Sequence, residues 1–220
     1  MNTENPVWQL TKDRSNYHFD PKKQDSRWDR IWWLGKIVGS WEDELAIAIE
    51  KSKPVPWGTQ SLEKFQSEEY EEELALKKSI GMWVKSPVTN LFFDLPSVFE
   101  KMSNLFGLEN KMARVHVQWP GQVWPMHVDR LDSYNRSDIN SVRRFTIQLH
   151  DWQPGHFWIY GNQHWTTWNS GDVATFDWQN VPHGTANCGI VPRATLQVTG
   201  IETEQTREFL KSLEKQDYYL

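Results

Sequence analysis

A single cysteine, Cys188, stands in 220 residues, so no internal disulfide can form, and a lone thiol is read as a small packed side chain rather than a nucleophile. No run of about 18 apolar residues occurs, which leaves no transmembrane helix to propose. The opening MNTENPVWQL lacks the basic and then apolar stretches of a secretory signal, so the default compartment is the cytoplasm. Positive charge is not in excess either: the formal net charge is -5 with the seven histidines neutral, and general attraction to nucleic acid is not expected. Internal repeats and low-complexity stretches are missing.

Hydrophobic residues at 38% and charged residues at 24% describe a soluble globular chain, long enough for one sizeable core. The expected organisation is one domain with an N-terminal extension; the oligomeric state stays open. The 14 tryptophans serve equally as core filler, stacking platforms or pocket walls, so their number decides nothing alone.

Helix signals dominate the first third. Ser40, followed at the third position by Asp43, forms a capping-box pattern that opens WEDELAIAIEKSK before Pro54 stops it. A second helix is expected over SLEKFQSEEYEEELALKKSI, from Ser61, with acids early and lysines late. A third begins near Leu95, with Pro96 in its first turn, Val98, Met102 and Leu105 along one stripe, and Gly107 at its end.

From Ala113 the texture changes to short β-branched and aromatic runs separated by turn residues: ARVHVQW, QVWPMHVD, RRFTIQLHDW, HFWIY, HWTTW, DVATFDW, HGTANCG and RATLQVTG. Eight strands in roughly 90 residues is the spacing of an antiparallel sandwich or barrel, and a jelly roll fits. TEQTREFLKSLEKQ reads as a C-terminal amphipathic helix packed by Phe209 and Leu213. The fold class is therefore mainly β with flanking helices. A helical extension over 1–111 is expected to pack on a core over 112–201, with the last helix in 202–220.

His127 and Asp129 lie two apart in a strand-like segment, so their side chains leave one face roughly 6.5 Å apart. His183 stands where a new strand begins after a Val-Pro turn and supplies a third ligand from another strand. Two imidazoles and one carboxylate on one face of an octahedron leave three positions open, the pattern of iron(II) oxygenases. The HxD pair alone is weakly specific; order and context carry the reading. Arg193, ten residues after His183 at the start of RATLQV, offers a planar fork for a buried carboxylate, and Thr195 on the same face adds a hydroxyl.

Through His127, Asp129, His183 and Arg193 the chain resembles the 2-oxoglutarate and iron(II)-dependent oxygenases with a double-stranded β-helix, or cupin-like, core. Within them, ARVHVQWPGQVWPMHVD with RRFTIQL, GDVATFD and HGTAN resembles the aspartyl/asparaginyl β-hydroxylase branch, over residues 112 to 201. The resemblance implies iron(II), 2-oxoglutarate and dioxygen as cofactor and co-substrates. It implies hydroxylation of a C–H bond in an amino-acid side chain, of a peptide or protein or of a free amino acid, with release of succinate and carbon dioxide. It also implies that Arg144 and His116 are further co-substrate contacts, where the family more often has a serine in place of His116. The other reading is a cupin-like metal-binding protein or isomerase without that chemistry.

Other positions keep two readings. Asn187 orients a ligand or caps the turn before Gly189. Trp119 and Trp124 flank the Pro-Gly turn and could wall the pocket, and one of the pairs Trp158/Tyr160 and Phe157/Ile159 faces inward. Arg143 and Arg144 point to opposite faces, without indicating which enters the barrel. The loop RLDSYNRSDINSV (130–142) is read as a lid or part of the substrate site. His18, His150, His156 and His164 take no functional role.

Overall fold

Strands with period-two alternation have two faces to bury, and here the two faces bury different things. The computed structural model describes residues 32–52, 89–127, 129, 134, 139–161, 163–179 and 181–220. In chain order these form β1 (Trp32–Val38), α1 (Glu42–Lys51), β2 (Asn90–Phe92), α2 (Ser97–Leu105), β3 (Glu109–Gln118) and β4 (Val123–His127). A 3-10 turn, Ile139–Ser141, leads into β5 (Val142–Gln148), β6 (His156–Tyr160), β7 (Gln163–Trp165), β8 (Asp172–Thr175), β9 (His183–Asn187), β10 (Arg193–Ile201), α3 (Glu204–Leu213) and β11 (Tyr218–Tyr219). The helix expected over 61–80 and most of the loop over 130–142 lie outside the described residues.

All eight expected strands form, as β3 to β10, and they divide evenly. β8, β5, β10 and β3 are neighbours in one sheet, and β4, β9, β6 and β7 make the other. This is a double-stranded β-helix. The first sheet is extended to seven strands, in the order β11-β1-β8-β5-β10-β3-β2. Both β1 and β2 come from the segment before residue 112, where the sequence suggested helices. Neither carries a readable strand signal, since β2 is three residues long and β1 is broken by Gly35 at φ 139, with a register shift between Trp33 and Gly35. Their pairing is supplied by β3 and β8 rather than by local pattern. Among the described residues no helix is long and apolar enough to cross a membrane.

The large sheet turns its apolar residues outward, toward the helices. Val115 and Val117 of β3, Phe145 and Ile147 of β5, and Ala194, Leu196 and Val198 of β10 are buried in one cluster with Leu45 and Ala48 of α1, Phe99 and Met102 of α2, and Leu213 of α3. Phe106, just after α2, stacks on Phe145 with centroids 4.5 Å apart and meets Phe209 edge-on at 5.2 Å. Each of these side chains larger than alanine contributes about 1.5–3 kcal/mol through burial. A smaller cluster of Trp158, Tyr160, Ala174, Phe176, Trp178 and Val181 fills part of the space between the sheets.

Local details follow from this packing. The helix at Glu42 does not use the Ser40/Asp43 box: Trp41 is its N-cap without a side-chain cap, and the Ser40 hydroxyl donates to Glu42 Oε2 at 2.7 Å. Trp41 sets the frame, because its buried indole donates Nε1–H to the Leu149 carbonyl at 2.8 Å. In α2, Pro96 takes the N-cap position and the buried stripe is centred on Phe99 and Met102, with Val98 and Leu105 half-buried at its margins. Gly107 ends the turn at φ 57, where a Cβ would strike the Gln205 side chain. Helix α3 forms as expected, with Thr203 and Thr206 in a reciprocal cap.

Candidate metal centre

Two strands of the small sheet bring the proposed ligands together. Val123 pairs with Ala186 and Trp124 with Thr185, but His127 pairs with His183, so β4 holds one extra residue between Trp124 and His127. Such a bulge re-aims side chains. It lets Trp124 and His127, three apart, both line the same cavity. Pro125 lies in the bulged stretch, where a residue without an N–H does least harm to the ladder. Asp129 lies past the end of β4, and its backbone N–H donates to the Trp178 carbonyl at 3.0 Å.

The three side chains converge. His127 Nε2 is 3.5 Å from Asp129 Oδ1, His183 Nε2 is 3.3 Å from Asp129 Oδ2, and one donor atom from each residue lies within 4.8 Å of the others. Cis donors with bonds of about 2.1 Å stand about 3 Å apart, so these spacings suit one six-coordinate ion. The tautomer of His183 is fixed: Nδ1 lies 3.0 Å from the Val181 carbonyl and must donate to it, which leaves the Nε2 lone pair facing inward. Burial, and then His127, hold the His183 pKa well below 6.5, so the ring is in its neutral, ligating form. Two imidazoles and a carboxylate, with His183 braced by a carbonyl, fit a divalent transition metal. Arg144, buried, donates from Nη1 to Asp129 Oδ2 and from Nε to Thr199 Oγ1 at 3.0 Å.

The large sheet supplies a polar floor opposite. Arg114, His116 and Gln118 alternate along β3, Arg193, Thr195, Gln197 and Thr199 along β10, and Arg144, Thr146 and Gln148 along β5. The register sets Arg193 against Gln118, Thr195 between His116 and Gln148, and Gln197 between Arg114 and Thr146. The cavity between floor and ligands spans about 540 Å3 with its open mouth included, and Trp124, Trp158 and Phe176 wall it. Arg193 is 3% exposed, donates to Gln118 Oε1 at 3.3 Å and lies over the Trp168 ring at 5.4 Å. Its Nε has no hydrogen-bond partner, and no described acid forms an ion pair with it. Burial lowers its pKa to about 10, which leaves it a cation at neutral pH.

The remaining candidates sort cleanly. His116 lines the cavity and accepts at Nε2 from Arg114 Nε at 3.0 Å, so it is neutral; burial and then Arg114 hold its pKa well below 6.5. Arg143 points away and pairs with Glu202 at 2.6 Å, while Arg144 enters the barrel. Trp158 and Tyr160 are the inward pair. Trp124 walls the cavity, but Trp119 packs elsewhere, donating Nε1–H to the Ser52 carbonyl at 3.0 Å. Asn187 braces the turn, taking the Gly189 N–H at 3.0 Å and donating to the carbonyls of Gln118 and Val191. Arg114, Gln118, Thr146 and Gln197 were not singled out from sequence, although parity with His116, Arg144 and Arg193 places them on the same faces.

No protein-family model matches the chain, and no curated protein matches it. Among solved structures it is similar to a prolyl-4-hydroxylase of Pseudomonas putida, at 15% identity over 60% of this chain and 83% of that one, with a TM-score of 0.39. It is similar to a viral collagen prolyl hydroxylase from Paramecium Bursaria Chlorella virus-1, solved as a 2-oxoglutarate complex, at 10% identity over 61% and 89%, with a TM-score of 0.38. It is also similar to a predicted oxalate decarboxylase of Thermotoga maritima, at 16% identity over 51% and 80%, with a TM-score of 0.32. The finer resemblance to the aspartyl/asparaginyl β-hydroxylase branch rests on the sequence motifs alone.

Proposed function

We propose that this chain is a 2-oxoglutarate- and iron(II)-dependent dioxygenase that hydroxylates a C–H bond of an amino-acid side chain, in a peptide or protein or in a free amino acid. His127, Asp129 and His183 would hold the iron, and Arg193 with Thr195 would take the distal carboxylate of 2-oxoglutarate. Arg144 and His116 are proposed as further contacts of that co-substrate. One observation carries the reading: a buried guanidinium with no acid paired to it among the described residues faces the same cavity as a His-Asp-His set. A cation in that position is expensive unless an anion joins it. A metal-binding barrel without 2-oxoglutarate chemistry has no need of it.

Bound iron would supply dioxygen activation coupled to oxidative decarboxylation of 2-oxoglutarate to succinate and carbon dioxide. The chain's own part is positioning. The Val181 carbonyl keeps the proton on His183 Nδ1, away from the metal-facing nitrogen. Arg144 holds one oxygen of Asp129, which orients the other toward His127. His116, neutral because it accepts from Arg114, keeps its second nitrogen protonated and offers a hydrogen bond without charge. Trp124, Trp158 and Phe176 limit water at the wall. The test is incubation with iron(II), ascorbate and 2-oxoglutarate, with pooled amino acids and peptides. Succinate above the iron-free control is expected, and absence of both succinate and 2-oxoglutarate binding would refute the proposal.

A further inference from the structure

Four buried side chains at one end of the barrel leave polar atoms without a hydrogen-bond partner: Nε2 and Oε1 of Gln148, Nδ1 of His156, Nε1 of Trp168 and Nε of Arg193. They share one neighbourhood. The Arg193 guanidinium lies over the Trp168 ring at 5.4 Å, and Trp168 stacks nearly parallel to His156 with ring centres 6.4 Å apart. Gln148 stands opposite Thr195 on the β5–β10 ladder, and Thr195 is two residues from Arg193 on the same face. The Gln148 carbonyl takes the Gly171 N–H at 2.7 Å, which ties its strand to the turn after Trp168. A buried amide with neither atom bonded costs stability that an apolar side chain of the same shape would not, so such a group points to a ligand.

We infer that Gln148 is a third anchor for the distal carboxylate of 2-oxoglutarate, beside Arg193 and Thr195. The inference rests on the co-substrate reading given above. Residues directly opposed in an antiparallel pair hold their Cβ atoms about 4.5–5.5 Å apart, so a carboxylate that meets the Thr195 hydroxyl lies within reach of the Gln148 amide. Hydrogen-bond accounting agrees. Arg193 Nε–H, Trp168 Nε1–H and the Gln148 NH2 group are donors, and Gln148 Oε1 is an acceptor. His156 Nδ1 is an acceptor too, because burial keeps the ring neutral and its Nε2, 3.0 Å from the Val191 carbonyl, carries the proton. A carboxylate accepts from Arg193 and Gln148. The atoms then left, one donor on Trp168 and acceptors on His156 and Gln148, are the complement of a single water, which accepts once and donates twice. His127 and His183 belong to the other sheet, so Gln148 acts on the far end of the co-substrate and not on the metal.

The test uses the full chain saturated with manganese(II), with dioxygen excluded so that nothing turns over. Calorimetry compares 2-oxoglutarate with 2-oxopentanoate, which carries a methyl group in place of the distal carboxylate. The native chain should favour 2-oxoglutarate by about a hundredfold or more. Q148M, close in shape and without the amide, should weaken 2-oxoglutarate about tenfold and leave 2-oxopentanoate within about twofold. Ligand-free Q148M should melt no lower than the native chain, since the amide it loses has no partner there. Q148E sets a carboxylate against the incoming one and should weaken 2-oxoglutarate at least as much, which decides the matter where Q148M does not fold. The inference is overturned if the native preference survives both substitutions, or if they weaken the two ligands equally, which marks Gln148 as structural. A native chain that binds 2-oxopentanoate as well as 2-oxoglutarate has no anchor for a distal carboxylate, and the co-substrate reading then falls together with this one.

Discussion

Replacing Arg193 by alanine should raise the requirement for 2-oxoglutarate by roughly 30-fold to 1000-fold while leaving metal binding intact. The magnitude follows from the surroundings of the guanidinium. It is almost wholly buried, makes one long bond to Gln118, lies over Trp168 and leaves Nε unpartnered. An incoming carboxylate therefore gains charge-assisted bonds to a guanidinium that burial has already desolvated. Losing that pair costs on the order of 2 to 4 kcal/mol, which at about 1.4 kcal/mol per decade gives the range stated. Arg193→Lys keeps the charge without the fork and should fall between alanine and the native residue. Thr195→Val, which removes one hydroxyl bond worth about 1 kcal/mol, should cost about fivefold.

The same surroundings predict a second, opposite effect. A buried cation with no acid paired to it among the described residues destabilises the ligand-free fold, so Arg193→Met should leave the melting temperature unchanged or raise it. Succinate formation against 2-oxoglutarate concentration reads the first effect, and thermal unfolding without ligands reads the second. If Arg144→Ala gives the larger co-substrate defect and Arg193→Ala almost none, the anchor has been misassigned. Metal titration separates the two residues, because Arg144→Ala also releases Asp129.

Asp129→Ala and His183→Ala should each weaken manganese(II) or iron(II) binding by about tenfold or more in calorimetry, since each removes one of the three proposed ligands. His156 is buried and its pKa is lowered from 6.5 to about 4, chiefly by burial. The unfolded chain therefore binds a proton there that the folded chain refuses, and the native fold should lose on the order of 3 kcal/mol as pH falls from about 6.5 to about 4, a loss that His156→Gln removes in urea unfolding at a series of pH values. Phe106→Ala should cost about 3–5 kcal/mol, because it empties the contact among Phe145, Phe209 and α2.

The eight core strands were legible because turn residues bound each run and alternation marks each face. The two added strands were not: β1 and β2 are strands through their partners rather than their composition. Ser40 and Asp43 matched a capping box, yet the buried indole of Trp41 set the frame of the helix one residue later. The convergence of His127, Asp129 and His183 was legible through order along the chain. Its assembly needs the extra residue between Trp124 and His127, which no alternation rule announces, since a strict period of two would send those side chains to opposite faces.

Alternation says which residues share a face but not which face looks into the barrel. In a sandwich the apolar faces ordinarily meet inside. Here most apolar residues of β3, β5 and β10 turn outward to the three helices, Val142 and Ile201 joining the smaller cluster instead, and the polar alternates line the cavity. By covering the outer face of the large sheet the helices supply the burial that lets its inner face carry arginines, glutamines and threonines rather than a second core. Substitutions on that inner face should accordingly act on ligand binding more than on folding, whereas the equivalent change one residue along the same strand, Phe145→Ala or Leu196→Ala, should act on folding alone.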